Sequence, residues 1–399
     1  MQTFSQIFED RHAYAREWKK RTGGKVLGYY CTYFPEEVAY AAGILPVRIM
    51  AKHYPDDTTD RLMYGNCYVT RDMFNQFNLG HYDYVDGLIG NESCQWWYNA
   101  FDVTMQMFPD LWSHYLFTPD YPDGNRSKDV LRSELAILKD KFEKWTGKTI
   151  TDADLDNAID VYNTNRRLLR RIYELRRFNR PVILGSECME IMLANQIMDK
   201  AEANIMLAEL IPQLEDRSPG EDRVRFILLG SETYDAELEK LIEDAGGNVV
   251  IDELDNGSAY IWNETIPLKD RLMAISLRYL SKPHSALKDN VWRRRPEHIF
   301  RLSEDFQVDA AIIAKQIYCH PHGSDMYAVW KILRERNIPY HTFERDTTLP
   351  YEETRLGIEA LINMVRPGMT HLYGWSAAED GDRAGKAAAG SGAAGAGAG

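Results

Sequence analysis

The sequence predicts an α/β fold: two lobes, each built on a parallel sheet, with additional helical material before and between them. Three observations predict it. Short β-rich runs alternate with helical patterns, the signature of strand–helix–strand crossovers. The alternation occurs twice, near the start and again in the second half, with a purely helical stretch between. The length of 399 residues suits two or three domains, and a hydrophobic fraction of 44% is enough for a packed core.

Residues to about Arg21 are charged, with helical spacing of Phe4, Ile7, Phe8 and Tyr14. A strand is expected over Lys25–Phe34, and Pro35 then opens a helix, PEEVAYAAG. Proline at a first helical position with Glu36 and Glu37 in the first turn suits the helix dipole, and Gly43 is a fair stop. Leu45–Met50 reads as the next strand, which completes a strand–helix–strand unit. Tyr84–Ile89 is a short buried strand, followed by the loop Gly90–Cys94 and a helix over Gln95–Met107. His114–Thr118 is a weaker strand.

From Ser127 to about Arg177 the pattern is helical throughout, and another helix covers Glu187–Leu210. The arginine-heavy segment NRRLLRRIYELRR could serve a phosphorylated ligand. It reads more simply as a solvated face with i,i+4 pairs such as Arg170 with Glu174. In the second half, Val224–Leu229 and Asn248–Glu253 read as strands around a helix at Ala236–Ala245. Helices at Leu268–Tyr279 and Pro296–Phe306 precede the strand Val308–Ala314 and a loop that holds Cys319. A helix at Asp325–Arg336, the strand Tyr340–Phe343 and a helix at Tyr351–Val365 complete the pattern. The expected organisation is a helical segment at 1–24, a first lobe at 25–126, a helical region at 127–215, a second lobe at 216–376 and a flexible Gly/Ala tail at 377–399.

Composition excludes several classes of function. Lys and Arg number 47 against 60 Asp and Glu, a net charge of −13, and an acidic chain repels phosphate backbones, so no nucleic-acid partner is expected. No stretch approaches the roughly 18 apolar residues that span a bilayer, so no membrane segment is expected. The polar, acid-bearing start MQTFSQIFEDRHAYAREW reads as neither a signal nor a transit peptide, and a cytoplasmic location is expected. There is no GxxxxGK[ST] phosphate loop, no GxSxG elbow and no HExxH, and the one GxGxxG match, GSGAAG, falls in the tail. ATP hydrolysis or hydride transfer by this chain alone therefore has no support.

Five scattered cysteines, Cys31, Cys67, Cys94, Cys188 and Cys319, form no CxxC pair and argue against a disulfide framework. Taken singly, each reads as a buried thiol. Two of them echo one another: Val85-Asp86 begins a strand whose loop presents Cys94, and Val308-Asp309 begins one whose loop presents Cys319. Ligands of open parallel sheets bind beyond the carboxyl ends of strands, so these thiols are expected to face a shared cleft. A helix start after each would lower the thiol pKa. Cys67, in YGNCYVTRD, could join them in a three-thiolate site. Trp96, Trp97 and Tyr98 could wall a pocket, and His320 and His322 could donate protons near the cleft.

The segments GYYCTYFPEEVAYAAGILPVRIM (Gly28–Met50) and IYCHPHGSDMYAVWKILRERNIPYHTFERD (Ile317–Asp346), with the pair of strand-end cysteines, resemble the 2-hydroxyacyl-CoA dehydratase/benzoyl-CoA reductase family. The resemblance runs from about residue 10 to 366. It implies two flavodoxin-like lobes with a helical portion, and an iron–sulfur cluster in the cleft held by Cys67, Cys94 and Cys319. That cluster would be a [4Fe–4S] cube or a double cubane; one iron without a protein ligand would let it act as a Lewis acid as well as an electron carrier. The implied chemistry sends a low-potential electron into a CoA thioester. The resulting ketyl-type radical anion either loses a hydroxyl group or is reduced further on an aromatic ring.

The partners implied are a homologous second catalytic subunit, an ATP-hydrolysing activator with its own cluster, and ferredoxin as indirect electron donor. ATP would act only through the activator. Within the family the chain looks closest to a catalytic-module subunit of ATP-dependent benzoyl-CoA reductase, with a 2-hydroxyacyl-CoA dehydratase subunit as the alternative. A double-cubane reductase and a non-catalytic two-lobed metal-binding module are further alternatives. Candidate roles beyond the thiols are proton chemistry for His322 and Glu36 and substrate contact for Trp97 and Ser231.

Overall fold

The computed structural model describes residues 3–52, 63, 65–178, 180–283, 286 and 295–366. The Gly/Ala tail and its GSGAAG run lie outside these residues.

Two four-stranded parallel sheets organise the chain. The first holds β1 (Val26–Tyr29), β2 (Leu45–Arg48), β3 (Gly87–Asn91) and β4 (Trp112–Leu116) in the order β2-β1-β3-β4. The second holds β5 (Val224–Gly230), β6 (Gly247–Glu253), β7 (Ala310–Gln316) and β8 (Tyr340–Arg345) in the order β6-β5-β7-β8. The two orders are the same permutation. In each sheet the chain starts in the middle, steps one way and then returns to the other side, leaving a crevice where the direction reverses. The reversal lies between β1 and β3 in one lobe and between β5 and β7 in the other.

Strands β1, β2, β3, β5 and β6 are buried at every position, as sheets covered on both faces require. Their covering helices are α1 (Phe4–Glu9), α2 (Arg11–Thr22), α3 (Glu36–Ala41), α4 (Tyr68–Asn78), α5 (Gln95–Met107), α6 (Ser127–Thr146), α7 (Asp152–Glu174) and α8 (Gly185–Asn195). The others are α9 (Lys200–Glu215), α10 (Glu237–Asp244), α11 (Ser258–Ile261), α12 (Arg271–Leu280), α13 (Arg295–Asp305), α14 (His320–Glu335) and α15 (Tyr351–Val365).

Three large cores result. One is shared by the lobes, with Leu88 and Trp97 in the same cluster as Leu228 and Ile312. The far face of the first sheet packs Leu27 and Ile89 against Leu131, Leu138 and Phe142 of α6. Into that core α12 inserts Leu272, Ile275 and Tyr279, so an excursion from between β6 and β7 closes over the first lobe's helices. The far face of the second sheet packs Ile227 and Ile313 against α9, α13 and α14.

Several elements differ from their expected limits, each for a local reason. The strand expected over Lys25–Phe34 stops at Tyr29, because Cys31–Phe34 closes a turn with the Phe34 amide on the Cys31 carbonyl at 3.0 Å. Pro35 caps α3 rather than opening it. The helical stretch from Ser127 breaks at Gly147, whose φ of +73° is left-handed, and Thr151 starts α7 with a reciprocal cap to Asp154. The single helix expected over Glu187–Leu210 is two, because the Asp199 side chain accepts from the Ala201 and Glu202 amides and starts α9. Helix α14 begins at His320, five residues before the expected start, with Pro321 in its first turn. Arg170 does not pair with Glu174. It reaches Glu264 instead, while Arg171 takes Glu174 and Glu215. Among the described residues no helix is long and apolar enough to cross a membrane.

Candidate functional site: three thiols capping three helices

Each of the three cysteines singled out from sequence is the N-cap of a helix. Cys67 caps α4 and Cys94 caps α5, both in the first lobe, and Cys319 caps α14 in the second. For Cys94 and Cys319 the topology dictates this: each loop leaves the carboxyl end of a strand, β3 or β7, beside the crevice. Cys67 arrives on the segment that follows β2, a placement that no strand signal announces. Helix amides fold back onto each cap: Trp97 N–H onto the Cys94 carbonyl at 3.1 Å and Gly323 N–H onto the Cys319 carbonyl at 2.9 Å. The Thr70 hydroxyl stands 3.6 Å from the Cys67 sulfur and donates to its carbonyl at 3.0 Å.

The thiols lie close enough to act on one another. Burial pushes the Cys94 thiol well above the usual range, and the neighbouring Cys67 and Cys319 push it further. Cys319 is pushed up to about 12 by burial and then by Cys67, with Ser231 pulling the other way. Cys67 is raised by burial and only partly relieved by Thr70. Helix starts alone would lower these values, the direction expected from sequence. Desolvation wins because Cys67 and Cys319 are almost wholly removed from water. Three helix-start thiols are therefore held protonated until a cation displaces the protons.

Cys188 stands apart from the trio, whereas Cys31 also raises the Cys94 thiol, behind Cys67 and Cys319. Cys31 sits in the turn after β1, fully buried, with its sulfur 3.9 Å from Asp255 and its thiol pushed up to about 11 by burial. Cys188 lies in α8, pushed up to about 12 by burial, with Arg176 as its strongest charged neighbour. All five are free thiols.

Below the trio the lobes are joined by buried charge. Arg48, at the end of β2, donates to Glu232 after β5 and to the Tyr234 hydroxyl at 3.3 Å. Thr32 donates to Asp255 at 2.6 Å, and Lys282 donates to the other Asp255 oxygen at 2.9 Å and to Thr32. The Lys282 ammonium also lies 4.2 Å from the centre of the Tyr33 ring. Arg48, Asp255 and Lys282 expose none of their side chains. Burial raises Asp255, but Lys282 and Arg48 more than offset it and keep the carboxyl below its usual range. Glu232 is pushed up to about 7 by burial in spite of Arg48.

The remaining candidates fall in different places. Ser231 ends the β5 turn, buried, its hydroxyl without a regular hydrogen bond among the described residues and its influence falling on Cys319. His322 lies in the first turn of α14, fully buried, with neither ring nitrogen hydrogen-bonded among the described residues. Burial, then Arg295 and Lys315, hold it well below 6.5, so the imidazole is neutral. Trp97 points into the shared core and stacks on Tyr30 at 5.3 Å. Its neighbour Trp96 is the residue that reaches across, donating from the indole to the Tyr318 carbonyl at 2.8 Å. Glu36 is engaged by the Tyr260 and Tyr162 hydroxyls at 2.8 and 3.3 Å and by Lys200 at 3.4 Å. Glu37 is held by Arg166 and by Tyr279 at 2.9 Å. The PEE motif thus ties α3 to α7, α11 and α12.

Which group could the trio hold? Among the described residues no three Cys, His, Asp or Glu side chains converge on a single metal ion. A cube of four irons bonds each thiolate to a different iron and asks for wider spacing, and an all-sulfur donor set suits iron–sulfur binding. Two buried thiols and one half-buried thiol, each at a helix start and near enough to influence one another, match that donor set. Cys67, Cys94 and Cys319 are the residues that would hold it.

The sequence has relatives. Residues 31–365 match the family model described as 2-hydroxyglutaryl-CoA dehydratase, D-component. The chain belongs to that family. It is 26% identical over 339 residues to a benzoyl-CoA reductase subunit of Thauera aromatica, covering 83% of this chain and 88% of that protein. It is 23% identical to the (R)-phenyllactyl-CoA dehydratase beta subunit of Clostridium sporogenes, over 90% of this chain and 96% of that one. It is 21% identical to the beta subunit of (R)-2-hydroxyglutaryl-CoA dehydratase from Acidaminococcus fermentans, over 80% of this chain and 87% of that one. Family members are subunits of enzymes, so the D-component relatives of this chain work in multi-subunit assemblies.

Proposed function

We propose that this chain is the iron–sulfur subunit of an ATP-dependent benzoyl-CoA reductase, or of a reductase acting on a substituted benzoyl-CoA, and that it yields a dienoyl-CoA. The observation that carries the reading is the trio of helix-start thiols, two buried and one half-buried, contributed by both lobes. The similarity to a benzoyl-CoA reductase subunit over most of both chains supports it. When bound, a [4Fe–4S] cluster on three cysteines supplies low-potential electrons and one open iron position.

The protein's part is to bind, orient and keep dry. Cys67, Cys94 and Cys319 give up their protons on loading, and the amides at three helix starts face the added negative charge. The surrounding core and the buried end of β5 keep water from Cys67 and Cys319, which strengthens polar contacts beside them. Ser231 supplies a hydroxyl beside Cys319 that is free to hydrogen-bond sulfur or a thioester oxygen. His322, held neutral, offers one N–H and one lone pair rather than a stored proton. Glu36 is best read as an anchor of the α3 junction, because tyrosine hydroxyls and Lys200 engage its carboxylate. The proposed system is completed by a homologous second catalytic chain, an ATP-hydrolysing activator and, behind the activator, ferredoxin.

A 2-hydroxyacyl-CoA dehydratase subunit is the second reading. The family model and the near-complete coverage of a phenyllactyl-CoA dehydratase subunit favour it. One experiment separates the two. The chain is purified anaerobically with its partner subunit, assayed for iron and acid-labile sulfide, and supplied with an ATP-driven activator and either benzoyl-CoA or a 2-hydroxyacyl-CoA. Ring reduction supports the first reading, water loss the second, and a chain without iron or sulfide sinks both.

A further inference from the structure

The two lobes touch at the mouth of the crevice through a polar contact that links the cysteine loops directly. Trp96, two residues after Cys94, donates its indole N–H to the carbonyl of Tyr318, one residue before Cys319, at 2.8 Å. The same indole packs edge-on against the His320 ring, with 5.3 Å between centres. Tyr318 has φ of +62°, the left-handed region that bulky residues rarely occupy, and this turn aims its carbonyl at the indole. The Tyr318 side chain is 54% exposed, so its packing does not account for the conformation. At the other cysteine helix of the first lobe, Arg71 of α4 pairs with Asp346 of the second at 2.8 Å. Both lobe-one cysteine helices are thus fastened to the second lobe near their first turns.

We propose that Trp96 and the Tyr318 carbonyl act as a positioning latch that fixes the gap between Cys94 and Cys319. This rests on the reading that the trio holds an iron–sulfur cluster. The indole N–H is the only part of the Trp96 side chain that hydrogen-bonds conventionally, and the latch ties a side chain two residues after Cys94 to the backbone immediately before Cys319. Removing the N–H leaves the thiols and their helices in place but frees their separation. Outer contacts of this kind typically alter metal affinity by about ten- to a hundred-fold.

The test uses the full chain with its partner subunit, purified anaerobically. Trp96→Phe removes the N–H, and an isosteric benzothienyl side chain at 96 does the same while keeping the ring's volume. Tyr318→Ala keeps the carbonyl and serves as the control. We expect iron loss to a ferrous chelator to be about ten-fold faster in both position-96 variants. We also expect a shifted midpoint potential and an altered EPR line shape of the reduced form, with an unchanged thermal midpoint. Tyr318→Ala is expected to match the wild type in all of these. Wild-type chelation rate, potential and EPR spectrum in the benzothienyl protein would overturn the latch.

Should the wild type hold no iron, the cluster reading fails, and the latch is judged on the iron-free chain. There it predicts a higher yield of Cys94–Cys319 cross-link with a short bifunctional thiol reagent in the wild type than in the benzothienyl protein. Equal yields would overturn it.

Discussion

The floor and the mouth of the inter-lobe crevice are built from opposite chemistry. At the floor, Arg48, Glu232, Asp255, Lys282 and Thr32 are buried and bonded to one another across the lobes. At the mouth, Ser231 and His322 are just as buried but lack regular hydrogen bonds among the described residues, and the thiols have few polar neighbours. Bonded buried networks make stiff joints, and this one keeps some spare capacity, since Arg48 Nε and Nη1 have no hydrogen-bond partner among the described residues. Unsatisfied buried groups cost stability and persist where something else completes them. The contrast is between charges tied together below and neutral groups without regular hydrogen bonds above, on the same two sheets.

The largest effects should come from the mouth. Cys319→Ala or Cys94→Ala is expected to lose iron and activity together, whereas Cys188→Ala, in α8, keeps both. Iron and sulfide analysis beside the assay checks this, and full iron in Cys319→Ala would break the contrast at its upper end.

The floor should answer in stability. Lys282→Met leaves the Asp255 carboxylate buried without its closest cation and is expected to cost about 3–5 kcal/mol, read from denaturant midpoints at constant slope. Adding Asp255→Asn should recover much of that loss, since the uncompensated charge goes with it. A smaller cost, about 1–3 kcal/mol, is expected for Glu36→Gln, where the neutral amide keeps the shape but weakens the bonds from Tyr260, Tyr162 and Lys200.

Near neutral pH the smallest effect comes from proton linkage, outside both regions, and it grows as the pH falls. His12, buried beside Tyr84 and Tyr82 in the α2 contact, is lowered to about 3 by burial first and then by Arg11. The unfolded chain binds its proton near 6.5 and the folded chain resists binding until about 3. Stability should therefore be complete above 6.5 and fall as pH drops through that window, by at most about 1.4 kcal/mol per pH unit. His12→Gln should flatten the slope between pH 6 and 4, and an unchanged slope would remove His12 from the account.

Much of the fold was legible because its signals are local. Val26–Tyr29, Leu45–Arg48 and Ala310–Gln316 are apolar runs whose identity does not depend on distant partners. Cys94 and Cys319 could be placed at strand ends on the same ground. Cys67 could not, since a cysteine after a polar stretch carries no mark of a helix cap. Nor was the direction of the thiol shifts legible, because the helix start is visible in sequence and the depth of burial is not. The floor was illegible almost entirely: Thr32 with Lys282 and Arg48 with Glu232 are pairs separated by 250 and 184 positions. Lys282 belongs to no motif, and only folding brings it to Asp255.

Cys319 follows Cys94 by 225 residues and arrives only with the last crossover of the second sheet. During translation, a nascent chain can therefore offer two of the three thiols long before the third exists. Any inorganic group that needs all three can be completed only late in synthesis, once β7 has slotted beside β5 and the loop after it exists.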